Sequence, residues 1–207
     1  MDLQIFQYGQ EEIDFLKARD ERLAKVIERY GKIERRVNPD LFSALVDIIV
    51  GQQISTKAHR TIRGRFLTEF GAITPERMAH SSVEQIQKMG ISFRKAGNIK
   101  KLTDKVVNRE LDLEQLHHLS DEEVLTALTG LDGIGIWSAE MLMLFSMQRP
   151  NILSYGDLGI HRGLQRIYEV PKVSKQEFIQ YHERYTPYAS VASFYLWAVA
   201  SEQCKDR

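Results

Sequence analysis

Two stretches of the chain carry residue types whose spacing could do chemistry. In "SYGDLGIHRGLQRIY" one aspartate, Asp157, stands between a glycine and the start of a helical pattern. Aspartate side chains are ordinarily ionised at neutral pH. The carboxylate can stabilise positive charge that develops opposite it, and it can orient or deprotonate a water. No second acid is placed beside it. The plainer reading of the same residue is an N-cap. Upstream lies "GLDGIGIWSAEMLMLF", in which Gly133 and Gly135 directly precede an apolar, helix-forming run. Glycines weaken a helix start unless the backbone must turn sharply or come very close to something else. A capped helix, a tight turn and a second helix opening at Gly135 would present backbone N–H groups and a positive helix end, which suits a phosphate. A glycine-assisted corner with no ligand is the alternative.

The elements that must position these residues read as helices almost throughout. "EEIDFLKARDERLAKVIERYG" gives one or two amphipathic helices, and "NPDLFSALVDIIVGQQIS" opens another with Asn38 or Asp40 as cap and Pro39 in its first turn. Ser55 caps the segment that ends at Gly71, and short capped segments follow up to "SDEEVLTALTG". "DLGIHRGLQRIYEV", "SKQEFIQYHERY" and "TPYASVASFYLWAVASEQC" complete the chain. No convincing alternating strand and no solenoid repeat is found, so the expected fold is all-α with short loops. The 207 residues are expected to form one unit with a soft division into two helical lobes flanking a cleft. One lobe joins residues 1–37 to about 170–207. The other spans about 38–169, with the hairpin at about 120–147.

Composition bounds the function. Lys plus Arg and Asp plus Glu both count 28, so bulk charge does not announce a polyanion partner, although a local basic face remains compatible with neutrality. With one cysteine, Cys204, there is no internal disulfide and no all-cysteine zinc or iron–sulfur site, which suits a reducing compartment. No leader or span of about 18 apolar residues is read, so a cytoplasmic protein is expected, nuclear in a eukaryotic host, with no membrane partner.

"LDGIG-IWSAE" followed by "YGDLGIHRGL" resembles the helix-hairpin-helix DNA glycosylases of the HhH-GPD superfamily. "LFSALVDIIVGQQISTKAHRTIRGRF" and "TPYASVASFYLWAVA" are similar to the branch of 3-methyladenine DNA glycosylase II, and the resemblance covers about residues 38 to 203. It implies a monomeric enzyme that acts on double-stranded DNA containing alkylated bases. Such an enzyme hydrolyses the bond from 3-methyladenine or 7-methylguanine to the sugar. A non-catalytic hairpin module that only grips DNA is the other reading.

The resemblance assigns roles to residues. Asp157 becomes the catalytic carboxylate. Trp137, Trp197 and Tyr155 line an aromatic pocket for the flipped base, where a cationic base gains roughly 0.5–2 kcal/mol on an indole. Gln53 in "GQQIS" is the wedge that enters the duplex, supported by Gln52. With Ser55, Gly133, Gly135 and Ser138 these glutamines form the DNA-binding set. Relatives that cut the strand carry a Schiff-base lysine near the start of the second hairpin helix. Here Ile136, Trp137 and Ser138 stand there, so no lyase step is expected. No redox cofactor or catalytic metal is required. A monovalent cation, Na+ or K+, is implied at the hairpin through the carbonyls of Thr129, Leu131 and Ile134. Asp132 stands where proline is frequent, and Met141 where some relatives carry tyrosine. Lys57, Arg60, Arg63 and Arg65, and Arg94, Lys95, Lys100 and Lys101, form two basic clusters that read as phosphate contacts or as solvated faces.

Overall fold

The computed structural model describes residues 4–202, so Cys204 and the end of the last helical segment lie outside the described residues. These residues form helices joined by short loops, with a single isolated bridge between Ile5 and Arg36 and no strand. No helix among them is long and apolar enough to cross a membrane. The chain divides into two compact units, residues 1–37 with 143–207, and residues 38–142. The second division falls at 142/143, inside a helix, and not at the soft boundary expected near residue 170. A helix interior carries no Gly, Pro or polar signal that would mark such a boundary.

In the first unit, α1 (Gln10–Arg19) and α2 (Glu21–Tyr30) are two helices because Asp20 is extended. Its side chain accepts the Leu23 amide and so starts the second. α10 (Leu158–Tyr168), α11 (Lys175–Tyr185) and α12 (Ala189–Ser201) follow later in the chain. α12 is apolar nearly all round and buried along most of its length, which makes it the core of this unit. Tyr195 and Phe194 are fully buried on it, and each such side chain contributes about 2 kcal/mol or more. Gly163 of α10 lies so close to α12 that a Cβ would collide with the Leu196 backbone. Glycine at this position sets the approach of the two helices.

The second unit holds α3 (Leu41–Gly51), α4 (Thr56–Phe70), α5 (Pro75–Met78), α6 (Val83–Gln87), α7 (Phe93–Val107), a 3-10 turn (Glu114–His118) and α8 (Asp121–Thr129). α9 (Ile136–Phe145) begins in it and ends in the first unit. Ser55 caps α4 and Gly71 ends it with a φ of +70°, as the sequence indicated. α3 departs from expectation in detail: Asp40 accepts the Ser43 amide as cap, so Pro39 precedes the helix rather than sitting in its first turn. Asn38 instead accepts the Asp40 amide, a local turn that competes with capping.

Candidate functional site

Within the second unit, α8, the turn 130–135 and the start of α9 form a helix-hairpin-helix. Gly130 ends α8, and the turn closes through Leu131 N to Leu128 O at 3.1 Å and Ile134 N to Leu131 O at 3.1 Å. Leu131 and Ile134 are buried beneath it, while Gly133 and Gly135 face out. The two glycines answer to different demands. Gly133 has a φ of +83°, and a Cβ there would run into the Asn98 amide of α7, so the fold itself excludes any larger residue. Gly135 meets nothing within 4 Å. Its carbonyl accepts the Ala139 amide at 3.0 Å, which makes it the first residue of the α9 end. No packing among the described residues asks for a glycine at 135, and Ile136 beside it is 61% exposed. Ser138, the third residue of α9, is buried at 6%.

Asp132 pairs with Lys101 at 2.9 Å. That hydrogen bond and the Lys101 charge, with Lys105 farther off, hold its carboxyl below the usual range. The pair offsets the negative charge that an acidic residue brings to the turn.

The turn after α3 belongs to the same unit. Gln53 is exposed and takes the left-handed conformation, with a φ of +55°. Gln52 does not point at solvent alone: its Nε2 donates to the Gly133 carbonyl at 2.7 Å. Ser55 accepts the Ala58 amide as cap and remains exposed.

Most of the basic side chains are occupied. Arg63 pairs with Asp47 at 2.9 Å, Arg65 donates to the Met89 carbonyl and Lys100 to Asp104 and the Ala79 carbonyl. Lys95 donates to the Val50 and Gln52 carbonyls at 2.9 and 2.5 Å. With Lys101 on Asp132, this leaves Lys57, Arg60 and Arg94 exposed and without an ion pair among the described residues. The rest serve the fold, because a charge run in sequence does not reveal which carbonyls lie within reach of each side chain.

In the first unit Asp157 is the N-cap of α10, its Oδ1 accepting the Ile160 amide at 3.0 Å. The same oxygen accepts the indole N–H of Trp197 from α12 at 2.9 Å. Both readings of this aspartate are thus compatible, since a cap that also receives an indole N–H has its carboxylate fixed in direction. Trp197 stacks on Phe145 with ring centroids 5.7 Å apart, half-buried, so it both packs and points a donor at Asp157. Tyr155, 46% exposed, packs edge-on against Phe178 and His161, and its carbonyl bonds the His161 ring at 2.7 Å. Trp137, on α9 in the other unit, is 45% exposed. Met141 is buried at 8%.

Gly159 was not singled out by sequence. A Cβ on it would lie 2.7 Å from the Trp197 ring and 3.0 Å from Asp157 Oδ1. Only glycine leaves room for the indole to reach the carboxylate. A glycine in the first turn of a helix is costly, and that cost was the available signal.

The sequence profile of the family described as "HhH-GPD superfamily base excision DNA repair protein" matches residues 46–187, more than half of the chain. The chain belongs to the HhH-GPD superfamily. The matched stretch takes in the Gln52–Gln53 turn, the hairpin, and Asp157 with its glycines. DNA-3-methyladenine glycosylase 1 of Schizosaccharomyces pombe is 29% identical to this chain over 181 residues, covering 85% of it and 79% of the relative. The crystal structure of a DNA-3-methyladenine glycosidase from Bacillus halodurans superimposes with a TM-score of 0.85 at 33% identity, covering 100% of this chain and 95% of that one. A Schizosaccharomyces pombe 3-methyladenine DNA glycosylase in complex with abasic DNA gives a TM-score of 0.77 at 27% identity, covering 90% and 95%.

Proposed function

We propose that this HhH-GPD protein is a DNA glycosylase that removes alkylated purines, 3-methyladenine and 7-methylguanine, from duplex DNA and leaves an abasic site without cutting the strand. The observation that carries the reading is the Asp157 carboxylate, held at the start of α10 by the Ile160 amide and aimed by the Trp197 indole N–H. The activities named for the relatives agree with it.

The bond from C1′ to the purine nitrogen breaks, and its electron pair leaves with the base. An alkylated purine already carries positive charge, so it departs neutral and needs no strong general acid. Positive charge then collects on the sugar, where Asp157 stabilises it. Water adds at C1′ and gives up its proton, with Asp157 as orienting group or base. The base must first leave the stack. Gln53 fills the gap, and Trp137, Tyr155 and Trp197 offer aromatic surface to the flipped cation. The opening of α9 at Gly135 receives a backbone phosphate. The carbonyls of Thr129, Leu131 and Ile134 suit a monovalent cation, being neutral hard donors; Leu131 O keeps a second lone pair after accepting Ile134 N–H. A bound cation would add positive charge beside that phosphate. Since Ile136, Trp137 and Ser138 stand where a Schiff-base amine is required, water is the only nucleophile.

N-methylated DNA incubated with the purified protein should release 3-methyladenine and 7-methylguanine, identified by chromatography, and borohydride should trap no protein–DNA adduct. Tight binding to abasic DNA without base release would leave a non-catalytic hairpin that only grips DNA. A strong trapped band would overturn the monofunctional reading.

A further inference from the structure

The turn that carries Gln53 is held from outside its own chain segment. A φ of +55° is a conformation that a residue with a Cβ keeps only where its surroundings impose it. The carbonyls of Val50, three residues ahead of Gln53, and of Gln52, the residue before it, are bound by Lys95 Nζ. This ammonium sits against the negative end of α3 and gives a charged donor to carbonyls that lack an N–H partner within the helix. Burial pushes Lys95 below its ordinary range, in keeping with an amine withdrawn from water and solvated by those two oxygens. On the far side Gln52 Nε2 reaches the Gly133 carbonyl of the hairpin. Asn98, three residues along α7 from Lys95 and so on the same helix face, lies over that glycine. One face of α7 thus touches both the turn after α3 and the hairpin turn.

We propose that Lys95 and Gln52 are a positioning pair that fixes the Gln53 turn against the hairpin, so that the grip of the hairpin on the DNA backbone sets how Gln53 enters the duplex. The inference rests on Gln53 being the wedge. Lys95 then acts through carbonyls of its own chain and is not a phosphate contact.

The test compares excision of 7-methylguanine from a fully paired duplex with excision of the same lesion in an unpaired bulge, where extrusion costs little. Lys95→Met should lower the paired-to-unpaired rate ratio on the order of tenfold, as expected when a group is displaced by a fraction of its length. Gln52→Ala, a change to a surface side chain that cannot threaten the core, should lower the same ratio and serves if Lys95→Met does not fold. Added to Gln53→Ala, Lys95→Met should lower the ratio no further. If Gln53→Ala alone leaves the ratio unchanged, the wedge reading fails. If Gln53→Ala lowers it while Lys95→Met and Gln52→Ala do not, the positioning pair is overturned. A Lys95→Met protein with an unchanged ratio but a salt dependence of duplex binding reduced by about one phosphate would also overturn it.

Discussion

One oxygen, Oδ1 of Asp157, accepts both the Ile160 amide and the Trp197 indole. Asparagine keeps that carbonyl oxygen, so Asp157→Asn preserves the cap and the indole bond while removing the charge. If Asp157 served only as a cap, the change would be nearly silent. As the group that stabilises the sugar cation, its loss should slow release of 7-methylguanine by orders of magnitude, each tenfold costing about 1.4 kcal/mol of barrier. Affinity for abasic DNA and the melting temperature should barely move. Excision at the wild-type rate by the folded variant would remove the carboxylate from the mechanism.

At the scale of the element, the hairpin separates two glycines that look alike in sequence. Gly133 is demanded by the Asn98 side chain and a positive φ, whereas Gly135 has open space around it and heads α9. Aspartate is among the best residues at a helix start, so Gly135→Asp should leave stability equal or raise it by a few tenths of a kcal/mol. The same carboxylate would stand where a phosphate is to dock. Affinity for abasic duplex should therefore fall by at least about tenfold while the melting temperature holds, opposite signs that a mere corner would not give. Equal affinity would mean that the hairpin holds no phosphate. What was legible in sequence follows the same division. Ser55, Gly71 and Asp157 as helix punctuation were readable because a cap is satisfied within a few residues of itself. Lys95 reads in sequence as a phosphate contact or a solvated charge, and neither reading anticipates its carbonyl partners, which lie 45 and 43 positions away with nothing in "FRKAGNIKK" pointing to them. Gly159 could be noticed as an odd helix residue, yet its reason is an indole from a helix 38 positions later in the chain (197 minus 159).

At the scale of the whole molecule, the unit that carries Asp157 is closed by a buried polar cluster between its early and late segments. The Asp20 side chain, 2% exposed, accepts from Arg184 at 2.7 Å, from the Tyr168 hydroxyl and from the Leu23 amide. Tyr168 in turn meets Tyr185 at 2.6 Å. Burial alone would raise the Asp20 carboxyl, but these hydrogen bonds and the Arg184 charge outweigh it and leave the group below its ordinary 3.8. A carboxylate whose folded value is depressed contributes stability above its unfolded value and loses it as pH falls through the folded one. The phenols of Tyr168 and Tyr185 are raised, chiefly by burial, so their contribution is present below their ordinary 10.0 and is lost as pH rises through the folded values. Asp20→Asn should therefore lower stability near neutral pH by roughly 2–3 kcal/mol, less than for a fully buried broken pair because the Arg184 side chain is 40% exposed. The gap to wild type should close in thermal melts taken progressively below the ordinary value of 3.8. Tyr168 ends the helix that Asp157 begins, eleven positions away, so well below the melting temperature base release should stay within about twofold of wild type. A gap that persists unchanged into acid would show that the carboxylate's charge is not what closes this unit, and a large loss of excision in a folded Asp20→Asn protein would mean that the cluster also aims the far end of α10.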